Sequence, residues 1–460
     1  MRPRRFLFVV GEHVGHLHAV LGVARRLQQR GHEVMFASSH SPQPVRQAGF
    51  ECEALPWLDG PDDAIARAPD RVRRRFEQRA WVDAAVGAAR RLVDSHRPEL
   101  LLFQPFLLET YPLFHGLVPA VAFSTKPLLS ADPWVPPYTC ATIPRDDALS
   151  RLQVRLDWAR TRARYAAYQA SCALAQWHSG VSHRSLLLET ARRTGFPLRT
   201  ENVTRSLPID IAFRSVPELV LHAREFDLPR ARPLPSRISY LGPCLDLPRS
   251  RPDPGPDVPG NGPLVYCHLG TVGRQNGQHK RELYRTLLGV AQATATWRWL
   301  FATGDADMAA WIRRETGSCK PSVEIRDWVS QFAVLAQTDV FVTHAGANSV
   351  KEALHHGVPM LALPLAADQP GMAARIVYHG VGMMLDGRRC FAGDVHACLK
   401  RLLSERSFRE RANAFAELSG RYDQALVAER TLEQHASSAW ARRSSDGIVT
   451  PPVSNTLLRG

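Results

Sequence analysis

The chain repeats one local pattern, in which a short apolar run is followed by a loop and then by apolar residues at helical spacing. Residues 6–10 form the first run, and residues 17–27 then carry the helical spacing until Gly31. Glu33–Ser38, Leu100–Phe103 and Ala120–Ser124 are further apolar runs. Alternating strands and helices are typical of a parallel, doubly wound sheet, so we predict an α/β N-terminal half.

A second series of the same kind follows a polar connector. Residues 246–262 (DLPRSRPDPGPDVPGNG) are dense in proline and glycine, which predicts an extended linker. The later apolar runs are 264–269, 297–303, Val323–Arg326, Val340–Thr343 and 360–363. We therefore expect Rossmann-like domains at 1–245 and 263–436, a linker at 246–262 and a flexible tail at 437–460. Because open α/β sheets bind ligands beyond the carboxyl ends of their strands, the cleft between two facing domains is the expected site.

Composition narrows the class of partner. The 460 residues carry a formal net charge of +14, which favours anionic ligands such as a nucleotide diphosphate. Neither zinc-finger spacing nor an aromatic and basic RNA-binding pattern is present, so we expect no nucleic-acid partner. The eight cysteines form no C-x-x-C pair, and no apolar stretch approaches the ~20 residues that span a bilayer. These features predict a cytoplasmic protein with reduced thiols.

The most informative stretch covers residues 328–375. The run Val340–Thr343 ends at His344, and a turn of small residues leads into a helix that we place near Asn348. Backbone N–H groups at a helix N-terminus, with the Ser349 hydroxyl beside them, suit a diphosphate. Glu352 lies one helical turn further, where it can accept bonds from ribose hydroxyls. Trp328 offers a flat apolar face to a base.

The same stretch resembles the donor-binding signature of the UDP-glycosyltransferase superfamily, which comprises inverting enzymes of the GT-B fold. The positions in register are Trp328, Gln331, His344, Gly346, Asn348, Ser349, Glu352, Pro359, Asp368 and Gln369. The resemblance implies GT-B architecture, with two Rossmann-like domains facing each other across a cleft, as in bacterial macrolide and other natural-product glycosyltransferases.

The resemblance also assigns donor-site roles. It implies that Trp328 stacks on the base, that Gln331 and Glu352 hold the ribose, and that Asp368 and Gln369 hold the sugar. It places His344, Asn348 and Ser349 at the diphosphate. Val329 and Gly346 belong to the same implied site, and Thr271 matches a hydroxyl residue near the phosphates, although His268 stands where the family more often has serine.

The N-terminal opening, residues 9–38, resembles the family's first strand, loop and helix, in which a loop histidine accepts the acceptor's proton. His16 matches that position, and a neutral imidazole suits a general base. Gln104 stands where many relatives have an aspartate that orients this histidine. Either Glu12 or Glu109 replaces that carboxylate, or the acceptor is acidic enough to need less help.

We expect no metal and no cofactor. A cluster of His13, His16 and His18 is disfavoured as a metal site, because His16 fits the base position. Asp305 and Asp307 spell a D-x-D sequence, which we interpret as a surface turn, since the helix dipole and His344 can neutralise the leaving diphosphate.

Residues 126–180 are expected to build the acceptor pocket, with Trp134 and Tyr138 as aromatic walls. The helix predicted at 148–177 carries several arginines beside Leu149, Leu152, Leu156 and Trp158. Two interpretations stay open. The helix packs on its own domain with solvated arginines, or it makes weak peripheral contact with an anionic membrane.

The sequence therefore predicts a metal-independent inverting hexosyltransferase. It would move a hexose, glucose in the first place, from a nucleotide sugar to a small apolar or aromatic natural-product acceptor in secondary metabolism, such as antibiotic biosynthesis. UDP is the preferred nucleotide and dTDP the alternative. Two other functions stay open: a peripheral-membrane enzyme that glycosylates a lipid or carotenoid, and a non-catalytic protein that binds nucleotide sugar or another protein. The oligomeric state is left undetermined.

Overall fold

The computed structural model describes residues 3–11, 14–38, 41–55, 70–104, 110–128, 130–179, 181–201, 213–246, 257–270, 277–316 and 320–422, with backbone only at residues 14–16, 110, 175, 176, 178, 179 and 183. Two parallel sheets organise these residues, one in each half of the chain.

The N-terminal sheet has seven strands in the order β3-β2-β1-β4-β5-β6-β7, and every pair is parallel. The strands are β1 (Arg5–Val10), β2 (Glu33–Ser38), β3 (Glu51–Ala54), β4 (Leu100–Phe103), β5 (Ala120–Ser124), β6 (Glu218–Val220) and β7 (Ile238–Tyr240). Strands β1 and β4 are buried along nearly their whole length, as expected when helices cover both faces of a parallel sheet.

The C-terminal sheet has six strands in the order β10-β9-β8-β11-β12-β13, again all parallel. The strands are β8 (Leu264–His268), β9 (Arg298–Ala302), β10 (Val323–Arg326), β11 (Val340–Thr343), β12 (Met360–Ala362) and β13 (Gly382–Met384). Both sheets thus share the strand order of a doubly wound Rossmann-like domain, which confirms the predicted fold class.

Helices connect the strands. In the N-terminal half they are α1 (Val14–Gln29), α2 (Gln43–Gln47), α3 (Arg71–His96), α4 (Thr110–Leu113), α5 (Ala148–Ser179), α6 (His183–Thr194) and α7 (Leu198–Glu201). In the C-terminal half they are α8 (Gly277–Ala293), α9 (Ala306–Thr316), α10 (Gln331–Leu335), α11 (Ala347–His355), α12 (Gln369–Tyr378), α13 (Ala392–Ser404) and α14 (Arg406–Arg421). In the described part of the chain, none of these helices is long and apolar enough to cross a membrane.

One local prediction was only partly right. The D-x-D residues lie on the surface, as predicted, but they begin a helix and do not form a turn. Asp305 Oδ1 accepts a hydrogen bond of 2.7 Å from the Met308 N–H, and Asp307 lies in the first turn of α9. Asp305 therefore caps a helix. On α5, Leu149, Leu152 and Leu156 are exposed, whereas Trp158 is buried.

The two halves touch through buried charged groups. Arg375 Nε of α12 donates to Asp227 Oδ1 of the N-terminal half at 3.0 Å, and Lys351 Nζ of α11 donates to the Leu221 carbonyl at 3.1 Å. At the start of the predicted linker, Asp246 is bonded to Arg25 at 2.8 Å, and near its end Val258 is buried in the C-terminal core. Residues 247–256 of that linker and the predicted tail lie outside the described residues.

Candidate functional site

Each sheet has a switch point, where the chain order reverses between neighbouring strands. In the C-terminal sheet it lies between β8 and β11, whose final residues His268 and Thr343 pair in register. In the N-terminal sheet it lies between β1 and β4, which are followed by Gly11 and Gln104. Loops leave such a point in opposite directions, so a crevice forms at the strand ends. The residues singled out by the sequence lie at both crevices.

His344, which follows β11, is held between two glycines. A Cβ on Gly270 would lie 2.6 Å from the His344 ring, and a Cβ on Gly346 would lie 2.4 Å from its Nε2. Desolvation, with the positive charges of His268 and Lys280 nearby, lowers the pKa of His344 to about 3. The imidazole is therefore neutral near pH 7, and it approaches a ligand as a hydrogen-bonding group.

Two basic residues line the same crevice. Lys280 is buried and its Nζ donates to the Gly270 carbonyl at 2.8 Å. His268 Nδ1 lies 2.8 Å from the Ala302 carbonyl oxygen, which can only accept, so Nδ1 carries the proton. His268 stands out in the sequence because it replaces a residue that is more often serine, whereas Lys280 is an isolated lysine on an amphipathic helix and belongs to no motif.

The turn from β11 into α11 leaves the N-terminus of that helix without a side-chain cap. Ala345 has a φ of 62°, a left-handed conformation that is uncommon for alanine, and Gly346 is the N-cap of α11. The first turn of α11 holds Asn348 and Ser349 and has no acidic residue, so the positive end of the helix dipole is not neutralised there. This geometry suits an anion such as a diphosphate.

Gln331 and Glu352 form a linked pair beside that turn. Gln331 Nε2 donates to Glu352 Oε2 at 2.6 Å and reaches Ser349 Oγ at 3.3 Å. Glu352 is almost completely buried, whereas Trp328 before α10 is 65% exposed, with its neighbour Val329 in the core. The carboxylate is thus positioned by its neighbours, and the indole face is open to a planar ligand.

Asp368 and Gln369 lie at the N-terminus of α12, after the carboxyl end of β12. Gln369 Oε1 accepts from the Leu365 and Ala366 N–H groups at 2.8 and 3.0 Å, so only its amide nitrogen remains for a ligand. Burial raises the pKa of Asp368, while Lys126 from the other half acts against that shift. Asp368 therefore faces the N-terminal half.

The acceptor-side aromatic residues have different surroundings. Tyr138 is buried, and its carbonyl accepts from the Gly371 N–H of α12 at 2.8 Å, so it joins the two halves beside Asp368. Trp134 is partly exposed and its ring lies 5.9 Å from the guanidinium carbon of Arg151.

A narrow slot between the halves runs beside α11. Its lining residues are His18, Ala19, Cys244, Leu245, Asp246, Phe332, Asn348 and Glu352. His18 follows the proposed base position His16 by two residues, and it lines the slot together with the donor-site residues Asn348 and Glu352. The histidine spacing alone could not reveal this, because the opposing wall comes from the other half of the chain.

At the N-terminal switch point, Gln104 is only 3% exposed and its Oε1 accepts from the Gly11 N–H at 3.0 Å. Its Nε2 is buried and finds no hydrogen-bond acceptor among the described residues. His16 lies in the first turn of α1, with its side chain outside the description. Glu12, His13, Glu109 and Thr271 also lie outside the described residues. Within the residues that are described, no cluster of three His, Cys, Asp or Glu side chains could hold a metal ion.

Comparisons with known proteins agree with this geometry. Residues 258–424 match the family "UDP-glucoronosyl and UDP-glucosyl transferase". The chain is 27% identical over 401 residues to the zeaxanthin glucosyltransferase of Pantoea ananas, covering 80% of this chain and 81% of the relative. It is 37% identical over 92 residues to UDP-glucuronosyltransferase 2B14 of Oryctolagus cuniculus, covering 20% of this chain and 17% of the relative.

Solved structures share the fold over nearly the whole chain. The glycotransferase of kitacinnamycin is 23% identical with a TM-score of 0.60, covering 96% of this chain and 99% of its own. The glycosyltransferase VinC, solved in complex with dTDP, is 17% identical with a TM-score of 0.59, covering 94% of this chain and 100% of its own. At such identities the likeness shows the GT-B fold.

Proposed function

We propose that this chain, a GT-B glycosyltransferase of the UDP-glucoronosyl and UDP-glucosyl transferase family, transfers glucose from a nucleotide sugar to a small apolar or aromatic natural product with inversion. The observation that carries the proposal is the arrangement around α11, where the Gln331–Glu352 pair, the exposed Trp328 and the anion-binding turn lie side by side. They match the three parts of a nucleoside diphosphate: ribose, base and phosphates.

The proposed reaction is a single displacement. The acceptor hydroxyl oxygen bonds to the anomeric carbon as the bond from that carbon to the β-phosphate oxygen breaks. His16, in the first turn of α1, takes the hydroxyl proton, and the nucleoside diphosphate leaves with the electron pair. The α11 N-terminus, His344 and Lys280 stabilise the charge that develops on the leaving group. This route uses no metal and no cofactor.

The nucleotide is proposed to be UDP in the first place, with dTDP as the alternative. The family match supports UDP, and the fold is shared with a protein solved with dTDP. A second acceptor class is favoured by one observation, the similarity to a zeaxanthin glucosyltransferase over 80% of the chain. A carotenoid or lipid acceptor would bring the enzyme to a membrane surface.

The test is transfer from UDP-glucose and dTDP-glucose to a panel of phenolic, macrolide and carotenoid alcohols, read by mass spectrometry. We expect one donor to yield a product heavier by one hexose, and His16→Ala to abolish transfer while donor binding persists. His96→Ala, which changes a partly exposed histidine at the end of α3, is the matched control and should stay active. If the protein binds a donor but neither transfers the sugar to any acceptor of the panel nor hydrolyses the donor, the non-catalytic alternative is favoured.

A further inference from the structure

Residues 244–246, which we call the spacer segment, touch both helix α1 of the N-terminal half and helix α11 of the C-terminal half. All three residues line the narrow slot beside α11, together with His18 of α1 and Glu352 of α11. The proposed base His16 lies in the first turn of α1, and the proposed diphosphate and ribose contacts lie on α11. The spacer segment is therefore placed where it can set the distance between base and donor.

On the α1 side the contacts are close. A Cβ added to Gly22 of α1 would lie 2.5 Å from the Leu245 carbonyl oxygen, which is too close for non-bonded atoms. Arg25 Nε donates to Asp246 Oδ1 at 2.8 Å, and the Asp246 side chain is buried. The Cys244 side chain belongs to the hydrophobic core that α1 also joins. The spacer segment is thus fixed to the helix that carries the proposed base.

On the α11 side the contact is made by a buried lysine. Lys351 is 2% exposed, and its Nζ donates to the Leu221 carbonyl at 3.1 Å and reaches the Cys244 carbonyl at 3.5 Å. Because Leu221 directly follows β6, one ammonium group bonds to two separate loops of the N-terminal half. Hydrogen bonds from a charged donor are stronger than those from a neutral one, more so away from water. Lys351 therefore holds the donor helix to the segment on which α1 packs.

The groups around this ammonium leave it close to titration. Desolvation lowers the pKa of Lys351 to about 8, while Cys244 and Glu352 act against that shift. Burial and the Lys351 charge lower the pKa of His222 to about 3, so that imidazole is neutral. Burial raises the pKa of the Cys244 thiol, although Lys351 and Arg26 act against it. Lys351 is thus charged at pH 7 and loses its charge in mildly alkaline solution.

We propose that Lys351 is a positioning residue for sugar transfer, which sets the distance between the donor on α11 and the base on α1 through the spacer segment. The inference rests on the proposed function, which assigns His16 to the acceptor and α11 to the donor. Lys351 acts through backbone carbonyls and is not itself a catalytic residue. Its loss should therefore lower the rate of transfer and leave donor affinity in place.

The first test replaces Lys351 by methionine, which has a similar length and no hydrogen-bond donor. We expect kcat for glucose transfer to fall roughly 10- to 100-fold, because misplacement of reacting groups by about 1 Å can have this effect. The Kd of the donor, measured by calorimetry, should stay unchanged. Lys400→Met removes an exposed lysine of α13 and should match wild type in both quantities. A fall in donor affinity as large as the fall in rate would overturn the proposal.

The pH dependence of kcat is a second readout. The bonds from Lys351 weaken as the pH rises through about 8, because the neutral amine is a poorer donor than the ammonium. In wild type, kcat should therefore decline between about pH 7 and pH 9 at constant donor affinity. Lys351→Met should lack this decline. Profiles of the same shape in both proteins would contradict the role of the ammonium.

Gly22→Ala tests the spacing from the other side and does not depend on the folding of Lys351→Met. The new Cβ must displace Leu245 from α1, so kcat should fall while donor affinity stays in place. Gly420→Ala in α14, where no described atom lies within 4 Å of the Cβ position, is the control and should keep the wild-type kcat.

Hydrogen exchange separates this proposal from the proposed function. Peptides that cover α1 and the spacer segment should exchange faster in Lys351→Met than in wild type or Lys400→Met. If wild type transfers no sugar but exchange increases in this way, the proposed function fails and the link between the helices stands. If wild type transfers sugar and both Lys351→Met and Gly22→Ala keep its kcat, the positioning role is wrong.

Discussion

The Gly11 N–H donates to Gln104 Oε1 at 3.0 Å, and this bond closes the N-terminal switch point by joining the loops after β1 and β4. The side-chain oxygen of Gln104 thus links two loops, whereas its buried amide nitrogen finds no acceptor among the described residues. A neutral amide at this position can orient an imidazole but cannot offset the positive charge that the ring gains on protonation.

Gln104→Glu keeps an acceptor for Gly11 and adds a negative charge near the proposed base. We expect the acid limb of kcat/KM to move upward by roughly one pH unit, because a nearby carboxylate raises the pKa of a histidine. The pH profile of glucose transfer measures this. Gln43→Glu adds the same charge at an exposed position of α2 and should leave the profile in place. An unmoved profile in Gln104→Glu would mean that residue 104 does not face His16.

Gly346→Ala tests the turn that holds His344. The new Cβ would lie 2.4 Å from His344 Nε2, so the ring must move and the diphosphate contacts shift. We expect kcat/KM for the donor to fall roughly 100-fold, as misplacement by about 1 Å can cause. Steady-state kinetics with varied donor measure this.

Gly289→Ala in α8 is the matched control, because nothing lies within 4 Å of its Cβ position. It should keep full activity and raise the free energy of unfolding by about 0.5–1 kcal/mol, since alanine is the better helix former. Equal activity in both variants would show that His344 does not contact the donor.

Glu352→Gln tests the proposed ribose contact. The carboxylate is positioned by Gln331 at 2.6 Å, and its loss removes charge-assisted acceptance from the ribose hydroxyls. Affinity for the nucleotide sugar should fall by about 1.5–3 kcal/mol, or roughly 10- to 150-fold. Calorimetry measures it, and Glu405→Gln on the exposed face between α13 and α14 should bind as wild type does. Unchanged affinity of Glu352→Gln for the nucleotide sugar would show that Glu352 does not bind the ribose.

Arg375 and Asp227 join the two halves by a buried ion pair. Burial acts to raise the pKa of Asp227, but the charges of Arg375 and Arg230 outweigh it and the pKa is lowered. Arg375→Met leaves this carboxylate without its main partner, so we expect the free energy of unfolding at pH 7 to fall by about 3–5 kcal/mol. Urea unfolding measures it, and Arg285→Met in an exposed ion pair should keep the wild-type midpoint.

The same pair sets a pH dependence. Because the folded pKa of Asp227 is depressed, its contribution is fully present above about pH 4, the ordinary pKa of aspartate, and is lost as the pH falls through the lower folded value. Asp227→Asn should therefore lose stability at pH 7 and show a flatter decline below pH 4. Parallel acid unfolding curves for both proteins would contradict the depressed pKa.

The sequence predicts the fold well where the pattern is strong. Continuous apolar runs locate β4, β5 and β11 to the residue, because strands buried on both faces contain few polar residues. The bounds of β2 and β10 are also predicted to the residue, although both strands contain charged residues. It misses β3, whose glutamates interrupt the pattern, and β6, β7 and β13, which have three residues each. Such short strands are fixed by their neighbours in the sheet and leave no periodic signal.

The candidate site is predicted only where its residues are close in the chain. Trp328 to Gln369 falls within one stretch, so a motif can identify it. The clamp of Gly270 and Gly346 on His344, the approach of Lys280, and the position of His18 opposite Glu352 depend on chain crossings that sequence spacing does not encode. The role of Trp158 is similar, since its burial depends on which side of α5 meets Val135.

The most direct test of the central claim is calorimetric titration of UDP-glucose and dTDP-glucose into wild type and Trp328→Ala. Phe391→Ala, which removes another exposed aromatic ring from the C-terminal domain, is the control. The account predicts micromolar binding of one donor, loss of about 1–3 kcal/mol of binding free energy in Trp328→Ala for want of base stacking, and no change in Phe391→Ala. Binding of neither donor by wild type, or equal binding by all three proteins, would contradict a nucleotide-sugar site at α11.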